Sequence, residues 1–325
     1  EILFSLKAQL LWSYYQSNRY IILDRENLVA QNNDDISMWS YNDFTTTVIE
    51  CYTNSLNPET KNLPLAKWAP ILKEGEDSNL RPTLYDLLAF RALNHFSEPE
   101  ALLNKSINEF SINDQKFLSR YTDFLNLDIE SENTNAAWYY LKTIQEIMQF
   151  HMDKKNLSAF IDTDLTRLRY IYNNSAFQSR DSLYYYRLMS WFMDPGMPEI
   201  VAEAGMLAAN LKYNAIDPKS CNLCDAIDIA QSVINRYPDT EAAEAAEKLI
   251  KAIRAQTIAV IVPEVITSNT SELALVSVKN IDQMFLRIVE LGSDEYPQMQ
   301  YRGNRTLKKP EFYVKKPVVA SWSYE

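Results

Sequence analysis

Apolar residues recur at helical spacing in six successive segments, 135–152, 156–173, 181–193, 198–212, 218–236 and 240–254, and from about 257 the spacing falls to near two. No other feature limits the fold as strongly. A helical period laid onto a pleated strand would turn much of its apolar surface to water. The six segments are similar in length and joined by short polar or proline-containing links, as in helix pairs that stack antiparallel on one another. Beyond them, 258–266, 272–280 and 283–291 are rich in β-branched and aromatic residues, with "TSNTS" and "NID" as turns. "FYVKKPVVASWSY" (312–324) adds one or two strands. The fold class is therefore α+β and mainly helical. Three domains are expected: an N-terminal helical domain over 1–134, a helical-repeat domain over 135–255 and a partial β-sandwich over 256–325. The last of these is shorter than the roughly 100 residues of a seven-strand sandwich.

The N-terminal third is less regular. Phe4, Ala8, Leu11, Trp12 and Tyr15 line a helix over 4–16, and "NRYIILDREN" (18–27) reads as an irregular link. A second helix begins near Tyr41, capped by Asn42 or Asp43, with Phe44, Val48, Cys51, Tyr52 and Leu56 on one face. Three prolines interrupt 57–72. A third helix opens at "RPTLYDLLAFRALNHF" (81–96), where Pro82 suits the first turn. A short helix near 99–110 leads into an irregular stretch, 111–134.

The chain offers few groups for chemistry. Its five glycines (75, 196, 205, 292 and 303) form no cluster, so the loops that bring backbone amides up to a nucleotide phosphate are absent. A Gly-x-Ser-x-Gly elbow is absent too. The two histidines, His95 and His151, each fall on an expected helix with no Asp, Glu or Cys at ligand spacing, which suits partly buried polar residues better than ligands. The 43 acidic residues are scattered, so paired-carboxylate catalysis has no visible pair. No catalytic, cofactor-binding or metal-binding residue is assigned, and the chain reads as a non-enzyme. A formal charge of −11 disfavours nucleic acid as a partner. No apolar run reaches the about eighteen residues of a membrane span. The opening at Glu1, without a basic and apolar leader, and the stop inside an apolar alternation suggest a piece cut from a longer chain.

Cys221 and Cys224 stand three apart near a helix start. A redox pair would need a strand feeding that helix, and the preceding segment is a loop after a helix. A zinc site would need four ligands, and only Cys51 and the two distant histidines remain. Buried helical thiols are the plain reading, and a Cys221–Cys224 disulfide is open outside the cytoplasm. The chain has twenty tyrosines and six tryptophans, some of which cluster in 10–16, 137–142 and 183–192. They suit helix seams with their polar ends at water, or an exposed platform that stacks on sugar.

Within 221–238, Ala230, Ile234 and Pro238 follow Ala-x-x-x-apolar-x-x-x-Pro. This resembles the second helix of a tetratricopeptide repeat, in which Ala230 and Ile234 would be buried against a neighbouring helix. On a larger scale three stretches resemble, in this order, the N-terminal part of the bacterial α2-macroglobulin-like proteins of the Bacteroidetes type. They are 18–56 with "LRPTLYDLLAFRAL" (80–93), "AIDIAQSVINRYPDTEAAEAAEKLIKAI" (226–253) and "PEVITSNTSELALVSVKNIDQMFLRIVEL" (263–291). Val278-Lys279-Asn280 and Phe285-Leu286-Arg287-Ile288 match a turn and an apolar-Arg-apolar strand that recur in the family's first sandwich. The family helix often carries a second cysteine about twenty residues beyond the position of Cys224, where this chain has Ala245 and Ala246. The resemblance implies a cell-envelope protein, periplasmic or outer-membrane associated, that traps proteases through a bait segment. Its partners would be proteases and the remaining domains of its own chain. No Cys-x-Glu-Gln thioester motif follows Cys51, Cys221 or Cys224. This piece would then be a scaffold or interaction region, the alternative being an envelope glycan-binding module that uses the tyrosine and tryptophan clusters.

Overall fold

Helix α1 runs from Ile2 to Leu23 without the link expected at 18–27. Asn18 donates from its side-chain amide to the carbonyl of Tyr14, Arg19 pairs with Glu100 at 2.8 Å, and Ile22 is buried. The polar residues that suggested a link thus sit on the flank of a continuing helix. The computed structural model describes residues 1–24, 35–70, 72, 79–102, 110–215, 221–262, 273–292 and 310–324; positions 25–27 of the expected link lie outside these. Two units are present, Glu1–Leu249 and Ile250–Glu325.

Helix α2 (Tyr41–Ser55) begins one residue earlier than its expected cap. Ser40 is the N-cap, its hydroxyl accepting from the Asp43 amide while the Asp43 carboxylate accepts from the Ser40 amide. The same reciprocal box starts α3 (Leu84–Phe96), with Thr83 and Asp86. Pro82 therefore precedes the cap and is not in the first turn, because the Thr83 hydroxyl can accept from a helix amide, with Asp86 accepting from the Thr83 amide in return, and proline has no such group. Only a 3₁₀ turn, Pro99–Leu102, stands in the expected helix at 99–110, of which 103–109 lie outside the described residues. The irregular stretch contains a second such turn, Gln115–Leu118, and the short α4 (Tyr121–Leu125).

Then come α5 (Ala136–Asp153), α6 (Leu157–Asn174), α7 (Arg180–Phe192), α8 (Val201–Asn214), α9 (Asn222–Arg236) and α10 (Glu241–Arg254). Packing runs from each helix to the next, α5 on α6, α6 on α7, α7 on α8 and α8 on α9. The position 134/135 falls inside the first unit, where α3 packs on α5. Ala230 is fully buried, as the repeat pattern requires, but Ile234 is only half-buried. The inward stripe of α9 is Ala226, Ile229, Ala230 and Val233, which turns Ile234 to the flank.

Helix α6 is buried around most of its circumference, charged residues included. Arg167 donates to Asp164 at 2.8 Å and to the carbonyls of Phe117 and Ser119 at 2.6 and 3.0 Å. The indole of Trp191 donates to the other oxygen of Asp164 at 2.7 Å. A fully buried charge is tolerable only when it is paired and hydrogen-bonded in this way.

The second unit contains the last turn of α10, β1 (Thr257–Ile261), β2 (Leu275–Lys279), β3 (Met284–Val289), the short α11 (Pro310–Val314) and β4 (Val318–Tyr324). Among the described residues β1 pairs with β2 and β3 with β4, both antiparallel, giving two two-stranded sheets. Residues 312–314 are helical, a correction to the strand expected there: Pro310 at the helix start cannot donate to a ladder but suits a first helical turn. The "TSNTS" turn lies outside the described residues. Asn280 takes the left-handed conformation, φ 55°, in the "NID" turn. Its amide donates to the carbonyls of Ile253 and Ala255 at 2.7 and 3.1 Å, and Lys279 Nζ donates to that of Ala252 at 2.9 Å. The turn thereby caps the end of α10. Ile258, Val260, Phe285 and Val319 remain exposed.

Candidate functional site

The 183–192 cluster divides according to helical geometry. Tyr184, Leu188, Trp191 and Phe192 form the buried stripe of α7. Tyr185 and Tyr186 fall off that stripe and face a cleft of about 370 Å³. Its lining also includes Tyr172 from α6, Asp181 and Ser182 from α7, Lys212 and Asn214 from α8, and Asn222 from α9. Tyr172 stacks on Tyr184 with ring centroids 4.3 Å apart, and the Arg180 guanidinium lies 4.5 Å from the Tyr172 centroid. Lys212 Nζ sits 4.8 Å from the Tyr185 ring and 2.9 Å from Asp225. Burial pushes the Tyr172 and Tyr184 hydroxyls above their ordinary pKa, so both stay neutral at neutral pH. Aromatic faces beside amides, a hydroxyl and a fixed cation can stack on and hydrogen-bond a sugar ring.

Asn222 of the cleft lining falls between the two cysteines in sequence. Cys221 is the N-cap position of α9, and Cys221 and Cys224 are joined as a disulfide, their Cα atoms 5.3 Å apart. Both are exposed. This corrects the plain reading of buried thiols: the inward stripe of α9 begins only at Ala226. Cys51 is a buried free thiol whose pKa is raised by burial.

No family model, curated protein or solved structure matches this chain.

The other two aromatic clusters fill seams. Trp12 and Tyr15 stack at 4.6 Å on α1, and Tyr140 stacks on Tyr170 at 3.5 Å between α5 and α6. His95 is 3% exposed, ringed by Trp12, Tyr52 and Phe96, with neither nitrogen hydrogen-bonded among the described residues. Burial lowers its pKa to about 4. His151 does meet a carboxylate. Its Nε2 lies 3.2 Å from Asp86 Oδ1, with both residues fully enclosed. Helical spacing could not reveal this pair, because Asp86 is on α3 and His151 on α5. Among the described residues no three His, Cys, Asp or Glu side chains converge as a metal site.

Tyr172, Lys212 and Asn214 escaped sequence reading because they converge from separate helices. The legible clue was Tyr185 and Tyr186 falling outside the 184/188/191 stripe.

Proposed function

We infer that this chain is a non-enzymatic scaffold and interaction region, the N-terminal part of an α2-macroglobulin-like protease trap of the bacterial cell envelope. The observation that carries this most is the junction at the end of α10. Lys279 and Asn280, the two residues of the family-like turn that follow Val278, fasten the first strands to the last carbonyls of the helix. A helical region that must feed directly into a β-layer needs such a fastening, since the terminal carbonyls of a helix have no partners of their own. The tetratricopeptide-like reading of 135–255 draws support from the helix-to-helix packing of α5 through α9 and from buried Ala230. The β-strands after α10 would be the start of a macroglobulin-like sandwich. Partners would be the remaining domains of its own chain and captured proteases. No described helix is long and apolar enough to cross a membrane.

Reading the gene beyond the codon for Glu325 tests the proposal. Continuation through successive segments of about 100 residues with β-sandwich patterning would support it. A frame that continues into unrelated helical or enzyme-like sequence would end it.

The tyrosine-lined cleft favours a second reading, envelope glycan binding. Titration calorimetry with oligosaccharides should give saturable heat that Tyr186→Ala abolishes. Unchanged heat in the variant would remove the cleft from consideration.

A further inference from the structure

A second cavity, of about 380 Å³, opens over the Asp86–His151 pair. This is within the range of about 300–1,000 Å³ typical of small-molecule sites. Its apolar walls are Phe150, Pro64 and Pro82, and its polar groups are Lys61, Asn62, Thr83, His151, Lys154 and Asn156. Two backbone hydrogen bonds, from Leu65 to Pro82 and from Leu84 to Leu63, tie the proline walls together at 2.8 Å each. The turn between α5 and α6 is equally fixed. Lys154 and Asn156 donate to the carbonyls of Phe150 and His151, and Lys155 is held at φ 56°.

The electrostatics of this cavity run against those of the chain. The protein carries a net −11, yet no carboxylate lines the cavity. Among the described residues neither Lys61 nor Lys154 forms an ion pair. Lys61 is half-buried and held 4.6 Å from the Tyr85 ring centroid and 5.6 Å from that of Phe150. Stacking of this kind orients an ammonium without neutralising it. Asp86 engages His151 through Nε2, so Nδ1 is the ring's remaining polar atom. Asp86 is in turn held by Thr83, whose amide and hydroxyl both donate to its other oxygen, at 2.9 and 2.8 Å.

We propose that this cavity binds a small phosphate monoester, with its oxyanion between Lys61, Lys154 and His151 and its organic part against Phe150 and the two prolines. The polar groups approach from two elements: Lys61 from the Pro58–Asn62 turn, and His151 and Lys154 from the end of α5. That arrangement matches a tetrahedral group with several free oxygens better than a planar carboxylate. The site is independent of the scaffold and glycan readings and stands or falls without them.

The test is titration calorimetry on the whole 325-residue chain at low ionic strength, with inorganic phosphate, glucose 6-phosphate and glucose. Both phosphates should bind and glucose should not. Lys154→Glu, an exposed and structurally mild change, and Lys61→Ala should each weaken binding about tenfold or more. Circular dichroism would verify that both variants are folded. Addition of phosphate should also shift the His151 ring resonances in a ¹⁵N spectrum. Absence of heat with either phosphate would overturn the proposal, and so would undiminished binding in Lys154→Glu. Binding only to vesicles containing phosphatidic acid would overturn it as well, by placing the anion preference on the outer surface.

Discussion

Gly205 of α8 meets Val233 of α9 with no space for a side chain between them. A Cβ on Gly205 would stand 2.6 Å from Val233 Cγ2 and 2.7 Å from Phe192 Cδ2 of α7. Both neighbours are themselves buried, Val233 at 0% and Phe192 at 1% exposure. Glycine in a helix interior costs about 1 kcal/mol relative to alanine. Here that cost is offset by the close approach of three helices.

Gly205→Ala should therefore destabilise the first unit even though alanine is the better helix former. Overpacking costs about 1–3 kcal/mol, which outweighs the propensity gain. Urea denaturation followed by circular dichroism would measure it, and a more stable variant would refute the close-approach account.

Arg167→Met should cost about 3–5 kcal/mol, because it leaves Asp164 buried with one donor and removes the donors to Phe117 and Ser119. The double variant Arg167→Met with Asp164→Leu should be less damaged than Arg167→Met alone, since no unpaired charge remains. If the two changes simply add, the pair is not coupled as described.

Stability should fall as pH drops from about 6.5 to about 4, owing to His95. Its pKa is lowered from the ordinary 6.5 to about 4 by burial. In that window the unfolded state holds the proton and the folded state does not, so acid favours unfolding. The full effect is about 3 kcal/mol. His95→Phe should flatten this limb of the stability profile between pH 7 and pH 4.5 and remove two unpartnered nitrogens. An unchanged slope would show that other groups set the acid response.

Asn280→Ala should loosen the second unit by about 1–2 kcal/mol, through the lost amide donors and the strain of alanine at φ 55°. Asn280→Gly relieves only the strain and should lie between wild type and alanine. Hydrogen exchange in the last turn of α10 is the readout. Equal protection in all three proteins would mean that the clamp contributes nothing.

Helices α5 to α10 were legible because an amphipathic pattern is local: each turn states which face is inward, whatever it packs against. The strands at 257, 275 and 284 were legible for the same reason. Three kinds of feature were not. The run from Asn18 to Leu23 looked like a link because its polar residues serve the flank of a helix whose buried residue, Ile22, comes only at its end. Residues 312–314 looked like a strand by their aromatic content, where Pro310 starts a helix. Ile234 was assigned to a seam by the repeat pattern, while the inward stripe of α9 runs through Val233.

Composition and periodicity alone settled that this chain is mainly helical, that its pattern changes once near 257, and that no glycine-rich phosphate loop is present. Tertiary structure alone decided which residues meet: Asp86 with His151, Arg167 with Asp164 and Trp191, Gly205 with Val233, and Tyr172 with the cleft of α7 and α8. The physical reason is one of range. Helix and strand preferences arise from neighbours a few residues away, whereas a charge pair, a cavity or a close helix crossing is made by groups that only the completed packing brings together.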